Sequence, residues 1–292
     1  MYKGVSIVIP VYGQWNLVKL SIEQNLHYDG GHIKEMIIVD DCSPESNPYK
    51  FDDKVRIIRN PENRGYTRTL NAGLKVATSE IVIVLDSDAH PVNSYIQKLS
   101  DIYEDNTVGC VGFKTVDEMG RDTGNFDFEP SLIGFVAGQH LHSKFKHLDV
   151  FSTKRILPFS CAVSFRKQCL EEMGYFDEKN FPVLDADNDL SMRIHRSNWK
   201  LVFTREIEIY HKGGNSIPRN HKRVLIYHRS RWRLLEKYGF IKSRWLAKVL
   251  LSTRIGTEIL ALNVQALLKR DKSVYADKLK GRKILLNEIK GY

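Results

Sequence analysis

The chain predicts an α/β fold, a mostly parallel central sheet flanked by helices and followed by a basic helical extension, and three observations carry that expectation. Ile81-Val-Ile-Val-Leu85 is an unbroken apolar, mostly β-branched run, the pattern of a strand buried on both faces. Such runs alternate with helical periods in the order strand, helix, strand, strand, helix, strand, which argues right-handed parallel crossovers. Charge is also split: residues 218–292 hold 19 Lys and Arg against 5 Asp and Glu, whereas 1–217 hold 25 against 30. Two regions with different tasks are expected, 1–217 and 218–292.

Residues 5–11 read as a first strand and Trp15 to Leu26 as a helix, with Trp15, Leu17, Val18, Ile22 and Leu26 at helical spacing. Glu35 to Val39 and Val55 to Ile58 are short strands closed by turn residues. Asn63 to Ala77 reads as a helix with Gly65 and Gly73 where close approach is needed, leading into 81–85. Pro91 is expected to open the next helix, which runs to about Tyr103 and into a strand at 108–113. Residues 114–155 show no clean period and carry three histidines; a stretch of that length is a candidate substrate-binding segment. Pro158 to Phe165 is strand-like, Arg166 to Met173 a short helix stopped by Gly174, and Leu184 to Ser197 a helix feeding a strand at 200–203. Beyond Pro218 the helices are basic, and Leu246, Val249, Leu250, Thr253, Thr257, Leu260, Val264, Leu267 and Leu268 form one apolar face flanked by Arg244, Lys248, Arg254, Lys269 and Arg270. Packing on its own domain accounts for such a face; so does an anionic membrane surface.

Composition excludes several classes. With 42% hydrophobic and 27% charged residues the chain is an ordinary globular one. Cys42, Cys110, Cys161 and Cys169 show neither a CxxC pair nor zinc spacing, so reduced thiols and a cytoplasmic setting are expected. The start carries no secretory pattern and no apolar run reaches the roughly 18 residues of a membrane span, which predicts a protein that is soluble or peripheral on the inner membrane face. No nucleic-acid motif accompanies the basic tail, and no nucleic-acid partner is expected.

Acidic groups stand at element ends in three places: Asp40-Asp41, Asp86 and Asp88, and Asp185, Asp187 and Asp189. An Asp-rich turn explains the second and N-capping or first-turn acids the third without any chemistry. The chemical reading is that carboxylates one residue apart, with no Lys or Arg beside them, suit Mg²⁺ or Mn²⁺. The C-terminal end of an α/β strand is also where ligands bind. A nucleotide needs an acceptor for its base or ribose and a metal for its diphosphate, and transfer from it needs a base for the incoming hydroxyl.

The chain resembles the family 2 glycosyltransferases, which have a GT-A fold. The resemblance rests on Ser6-Ile-Val-Ile-Pro10-Val-Tyr12, Met36-Ile-Ile-Val-Asp40-Asp41, Asn63-Arg-Gly65 with Asn71-Ala-Gly73, and Leu85-Asp86-Ser-Asp88. Gly174-Tyr-Phe-Asp177-Glu178, Asp187-Asn-Asp189-Leu-Ser-Met-Arg193 and Tyr210-His211-Lys-Gly-Gly-Asn-Ser216 extend it over about residues 4–217. It implies an inverting transfer from a UDP-, dTDP- or GDP-sugar to a hydroxyl of a glycan or glycolipid acceptor. Pro10 and Tyr12 would line the base, Asp41 would accept from it, and Asp86 would face the ribose or metal waters. Asp88 would bind Mn²⁺ or Mg²⁺, His211 would add a metal or diphosphate contact, and Asp187 would be the general base.

Departures leave alternatives open. Ala186 stands where a Glu usually precedes the base, so Asp185 or Asp189 could take that role, and Leu70 replaces a usual Arg, leaving Arg68 or Arg64 for the phosphate. His228-Arg-Ser-Arg231-Trp232 lacks the Gln of processive relatives, so one sugar per encounter is expected, most like rhamnosyltransferase-type enzymes of cell-surface polysaccharide synthesis. A sugar nucleotidyltransferase would want a Gly-rich phosphate loop where Pro10-Val-Tyr-Gly stands. A non-catalytic, peripheral membrane-binding module is the remaining reading.

Overall fold

The computed structural model describes residues 4–138, 141, 152–211, 221–268 and 273–292. The three histidines of the 114–155 stretch, the motif residues 212–216, and Lys269 and Arg270 lie outside the described residues. The chain divides into two compact units, Met1–Asp127 with Ile156–Gly213, and Phe128–Arg155 with Gly214–Tyr292. Most of the stretch read as a substrate-binding segment thus groups with the C-terminal helices.

The first unit is built on the strands β1 (Val5–Val11), β2 (Ile33–Asp40), β3 (Val55–Arg59), β4 (Ile81–Leu85), β5 (His90–Pro91) and β6 (Val108–Val116). After β7 (Phe126–Pro130) and β8 (Ser152–Pro158), which pair as a separate ribbon, come β9 (Ala162–Arg166) and β10 (Lys200–Tyr210). The sheet order is β3-β2-β1-β4-β9-β6-β10-β5. The first four strands are parallel as expected, and so are β6 and β10. β9 runs antiparallel between β4 and β6. Its apolar run, read as one strand from Pro158, is broken at 159–161, where the chain turns out of β8. An apolar run records burial but not direction.

Helices α1 (Trp15–Asp29), α2 (Tyr66–Val76) and α3 (Ile96–Tyr103) belong to the same unit. Val5, Ile7, Ile9 and Val11 pack with Trp15, Val18 and Ile22 in one core cluster, as the period-2 and period-3.6 patterns demand. On α2, Gly73 is required by contact: a Cβ there would stand 2.9 Å from Val39 Cγ2 and closer still to Val8 Cγ1. Pro91 does not open a helix; α3 begins at Ile96 and His90–Pro91 pairs antiparallel with β10. A residue without an N–H is tolerated there because β5 is the sheet edge.

In the second unit α4 (Leu132–Ala137) precedes α5 (Lys167–Met173) and α6 (Ala186–Ile194) of the first unit, and α7 (His221–Lys237), α8 (Arg244–Leu268) and α9 (Ser273–Ile289) follow. Phe135, Trp232, Leu235, Ala247, Leu251, Ile255, Leu285 and Ile289 form its core. The face of α8 that enters this core is Ala247, Leu251 and Ile255, not the longer apolar face read from the sequence, most of which is exposed.

Candidate active site

The strand order places β1 between β2 and β4, with chain connections leaving in opposite directions, and the crevice at such a switch point lies at the strands' C-terminal ends. Pro10 is buried near the end of β1, Tyr12 is 56% exposed just beyond it, and Asp40 closes β2. The turns after these two strands are tied together. Gly13 N donates to Ser43 Oγ (2.7 Å), while Ser43 donates through N and Oγ to Asp40 Oδ1 (2.8 and 2.5 Å). Arg59 neutralises Asp40 from β3.

Asp41 organises the next turn. Its Oδ1 accepts from Asn60 Nδ2 (2.8 Å) and Arg64 N (2.8 Å), and its Oδ2 from Gly65 N (2.9 Å). Burial alone would raise its pKa; these hydrogen bonds outweigh it and hold the carboxyl below its ordinary range. Gly65 adopts φ 82°, a backbone conformation that favours glycine, and α2 starts immediately after it. The motif residue Asn71 fastens α2 to the following loop, donating to Phe176 O (2.9 Å) and Glu178 Oε2 (2.8 Å) and accepting from Phe176 N (3.1 Å). Arg64 and Arg68 are exposed, and Arg68 Nε lies 3.9 Å from Glu178 Oε1.

Asp86 and Asp88 follow β4 directly, and β5 delivers their third partner. Because Tyr210 pairs with His90 in antiparallel register, the next residue on β10's path comes alongside the 86–89 turn. The His90 and Tyr210 rings stack at 4.7 Å, and His211 N donates to Val116 O (2.9 Å). His211 Nε2 then stands 3.4 Å from Asp88 Oδ1 and 3.7 Å from Asp86 Oδ2. One ligand atom from each of the three lies within 4.8 Å of the others. Burial raises the Asp86 pKa, with Asp88 adding to the rise, whereas the hydrogen bond to His211 lowers that of Asp88. Burial works against a protonated His211, but Asp88 and Asp86 together raise its pKa. Two carboxylates and an imidazole nitrogen so placed fit a divalent ion of the Mn²⁺ or Mg²⁺ kind, the carboxylates suiting either and the imidazole leaning away from Mg²⁺.

The three aspartates before and within α6 separate into distinct situations. Asp185 precedes the helix with φ 62°, and its Oδ1 accepts from Asn188 Nδ2 (2.7 Å), so it does not cap a backbone N–H. Asp189 is buried and paired with Arg193 (2.9 Å), which also donates to Tyr175 O (2.7 Å). Asp187 Oδ2 receives Ser160 N at 3.2 Å, with Ser160 Oγ 3.4 Å away. Burial lifts the Asp187 pKa to about 6, the negative charges of Asp185 and Asp86 add to the rise, and the Ser160 N–H opposes it.

Two residues that sequence reasoning missed connect these groups. The Tyr66 hydroxyl donates to Asp86 Oδ1 (2.8 Å) and lies 3.1 Å from Ser160 Oγ, giving the path Asp86, Tyr66, Ser160, Asp187. Tyr66 follows the Asn63-Arg-Gly65 motif directly, which was a usable signal; Ser160 lies in the turn hidden inside an apparent single strand.

Comparison with known proteins gives the family and the fold. The Glycosyl transferase family 2 model matches residues 6–172, more than half of the chain. The uncharacterized protein y4gI of Sinorhizobium fredii is 24% identical over 82% of this chain and 27% of its own length. The dolichol-phosphate mannosyltransferase of Pyrococcus furiosus is 27% identical over 44% of this chain and 38% of its own length, so the chain spans well under half of both relatives. In fold it is similar to the mannosyltransferase PcManGT of Pyrobaculum calidifontis, solved with GDP-Man and Mn²⁺, at TM-score 0.58 and 14% identity over 100% of this chain and 89% of that one. The crevice at the ends of β1, β2 and β4 is therefore that of a GT-A fold, and the chain belongs to glycosyl transferase family 2.

Proposed function

We propose that the chain transfers a sugar from a nucleotide-diphosphate donor to a hydroxyl of a glycan or lipid-linked glycan, with inversion at the anomeric carbon. The observation that carries this reading is the convergence of Asp86, Asp88 and His211 at the end of β4, joined through Tyr66 and Ser160 to the raised carboxyl of Asp187. Asp86, Asp88 and His211 would hold Mn²⁺ or Mg²⁺, which when bound would offset the charge of the donor's diphosphate. PcManGT, similar in fold, was solved with such a pair, GDP-Man and Mn²⁺.

The chain's own residues supply the rest. Asp41, fixed as a carboxylate by Arg64, Asn60, Thr69 and Gly65, would accept from the nucleotide base by sharing a lone pair with one of these donors. Pro10 and Tyr12 would line the base, and Arg68 or Arg64 would reach a phosphate. The acceptor oxygen attacks the anomeric carbon opposite the leaving group, the carbon–oxygen bond to the diphosphate breaks with its electron pair, and Asp187 takes the acceptor's proton. A group with pKa about 6 is mostly ionised at neutral pH, yet basic enough to draw that proton as the new bond forms. A lipid-linked acceptor, as for a cell-surface polysaccharide, would set the reaction at the inner face of the cell membrane.

Calorimetric titration of UDP-, dTDP- and GDP-sugars with Mn²⁺ or Mg²⁺ tests the reading. One donor should bind only with the cation, and Asp88→Ala should abolish that requirement together with binding. Equal binding in the variant, or binding indifferent to the cation, refutes it.

A further inference from the structure

The exposed side of α8 differs from an ordinary solvent-facing helix surface. At about 100° per residue, Trp245, Leu246, Val249, Leu250, Leu260, Val264, Leu267 and Leu268 fall within an arc of roughly 140°. Trp245 is 73% exposed, Leu260 68%, Leu267 82% and Leu268 78%. The helix's charged residues, Arg244, Lys248, Arg254 and Glu258, all project outside that arc, toward the side on which Ala247, Leu251 and Ile255 are buried. The polar residues inside the arc turn their donors back onto the helix. Thr253 Oγ1 donates to Val249 O (2.9 Å), Thr257 Oγ1 to Arg254 O (2.7 Å) and Asn263 Nδ2 to Ile259 O (2.9 Å). The result is an uncharged strip about 36 Å long from Trp245 to Leu268, apolar at both ends and joined in the middle by Thr253, Gly256 and Thr257. A strip of this extent on a protein surface marks an interaction site.

What covers it is decided by charge. Residues 218–292 carry 19 Lys and Arg against 5 Asp and Glu, and Lys242, Lys278, Lys280, Lys283 and Lys290 are exposed. A second copy would bring an equally positive unit against this one and be repelled, whereas an anionic surface is attracted. No helix among the described residues is long and apolar enough to cross a membrane, so α8 would lie along the surface and not through it. We infer that the exposed face of α8 is an in-plane membrane contact, its apolar strip seated at the level of the headgroup and acyl boundary of a bilayer containing anionic lipid, with the net positive charge of residues 218–292 drawing it to that surface. The inference goes beyond the sugar-transfer reading and does not depend on it.

The test is sedimentation of the full chain with vesicles of phosphatidylcholine alone and with about one-quarter phosphatidylglycerol, at low and high salt. Partition should require the anionic lipid, weaken as salt rises, and fall at least tenfold in the surface double variant Leu260→Glu, Leu267→Glu. Emission of Trp245, the most exposed tryptophan for which a neighbouring bilayer is inferred, should shift to the blue on anionic vesicles, and Trp245→Phe should lose the shift. Circular dichroism and unchanged nucleotide binding in the double variant separate this surface from folding and from the sugar-transfer site. Equal partition of variant and parent, or no partition of the parent, overturns the inference. So does a parent that sediments as a dimer which the double variant dissolves.

Discussion

Replacing Asp187 by Asn tests the division of labour at the start of α6. The amide keeps an oxygen to accept from Ser160 N, now 3.2 Å from Asp187 Oδ2, so the turn and the donor-binding groups should stay in place. What is lost is the ability to take a proton, and removal of a positioned general base costs about 10²- to 10⁴-fold. The parent enzyme should also show an acid limb. With a pKa of about 6, raised by burial and by the charges of Asp185 and Asp86, the carboxylate is about nine-tenths ionised at pH 7 and about one-tenth at pH 5. Only the ionised form accepts a proton, so kcat/KM should be full above the limb and fall about tenfold per pH unit below it. A cation held by Asp86 and Asp88 favours the ionised form and places the limb at or somewhat under that value. Nucleotide release followed from pH 5 to 8 at saturating cation measures it. The Asn variant should lose at least 10²-fold in kcat, keep donor affinity within about threefold, and show no limb. Near-parental turnover, or the same limb in the variant, would refute the assignment and send the search to Asp185.

Two further perturbations address the groups around that carboxylate and the second unit. Tyr66→Phe removes the hydrogen bond that orients Asp86 while preserving ring volume; loss of such an orienting partner costs a metal site about 10- to 100-fold in affinity, so apparent cation affinity should weaken about tenfold or more, and the melting temperature should fall as well because the bond is already made without the cation. An unaltered cation requirement would make Tyr66 packing only. In the second unit His228 is buried among α7, α8 and α9, its Nδ1 donating to Val224 O (2.8 Å) and its Nε2 accepting from Arg254 (3.3 Å), with Glu258 and Arg282 beyond. Burial, reinforced by Arg254 and Arg282, lowers its pKa to about 4. The unfolded histidine takes a proton near pH 6.5 and the folded one does not, so stability is complete above about 6.5 and declines as pH falls toward 4, by roughly 3 kcal/mol at most. Urea unfolding at pH 7.5 and 5 should show that decline, and His228→Asn, which keeps the Val224 donor, should flatten it; an unchanged slope would assign it to another group.

The residues legible in the sequence were those whose chemistry and local position coincide. Asp86 and Asp88 follow an unbroken apolar run and Asp41 follows another, so each could be placed from its immediate neighbours, whereas the two valines that require Gly73, Val8 and Val39, lie far from it in the chain. The pairing of Tyr66 with Ser160 joins residues 94 positions apart, and no local period records such a contact. β9 and β5 escaped for a related reason, since direction and edge position are properties of the assembled sheet. The α8 case is the most instructive, because its longer apolar face was legible while its orientation was not. Periodicity reports that a helix has an apolar side, and the usual inference is that this side points inward. Here three smaller residues, Ala247, Leu251 and Ile255, suffice to anchor the helix, and the larger side chains remain outside. A sequence that keeps Trp245, Leu260 and Leu267 in water, and moves every charge of the helix away from them, is shaped by something those residues meet outside the folded unit; the same pattern that misled the packing argument is the one that identifies the surface.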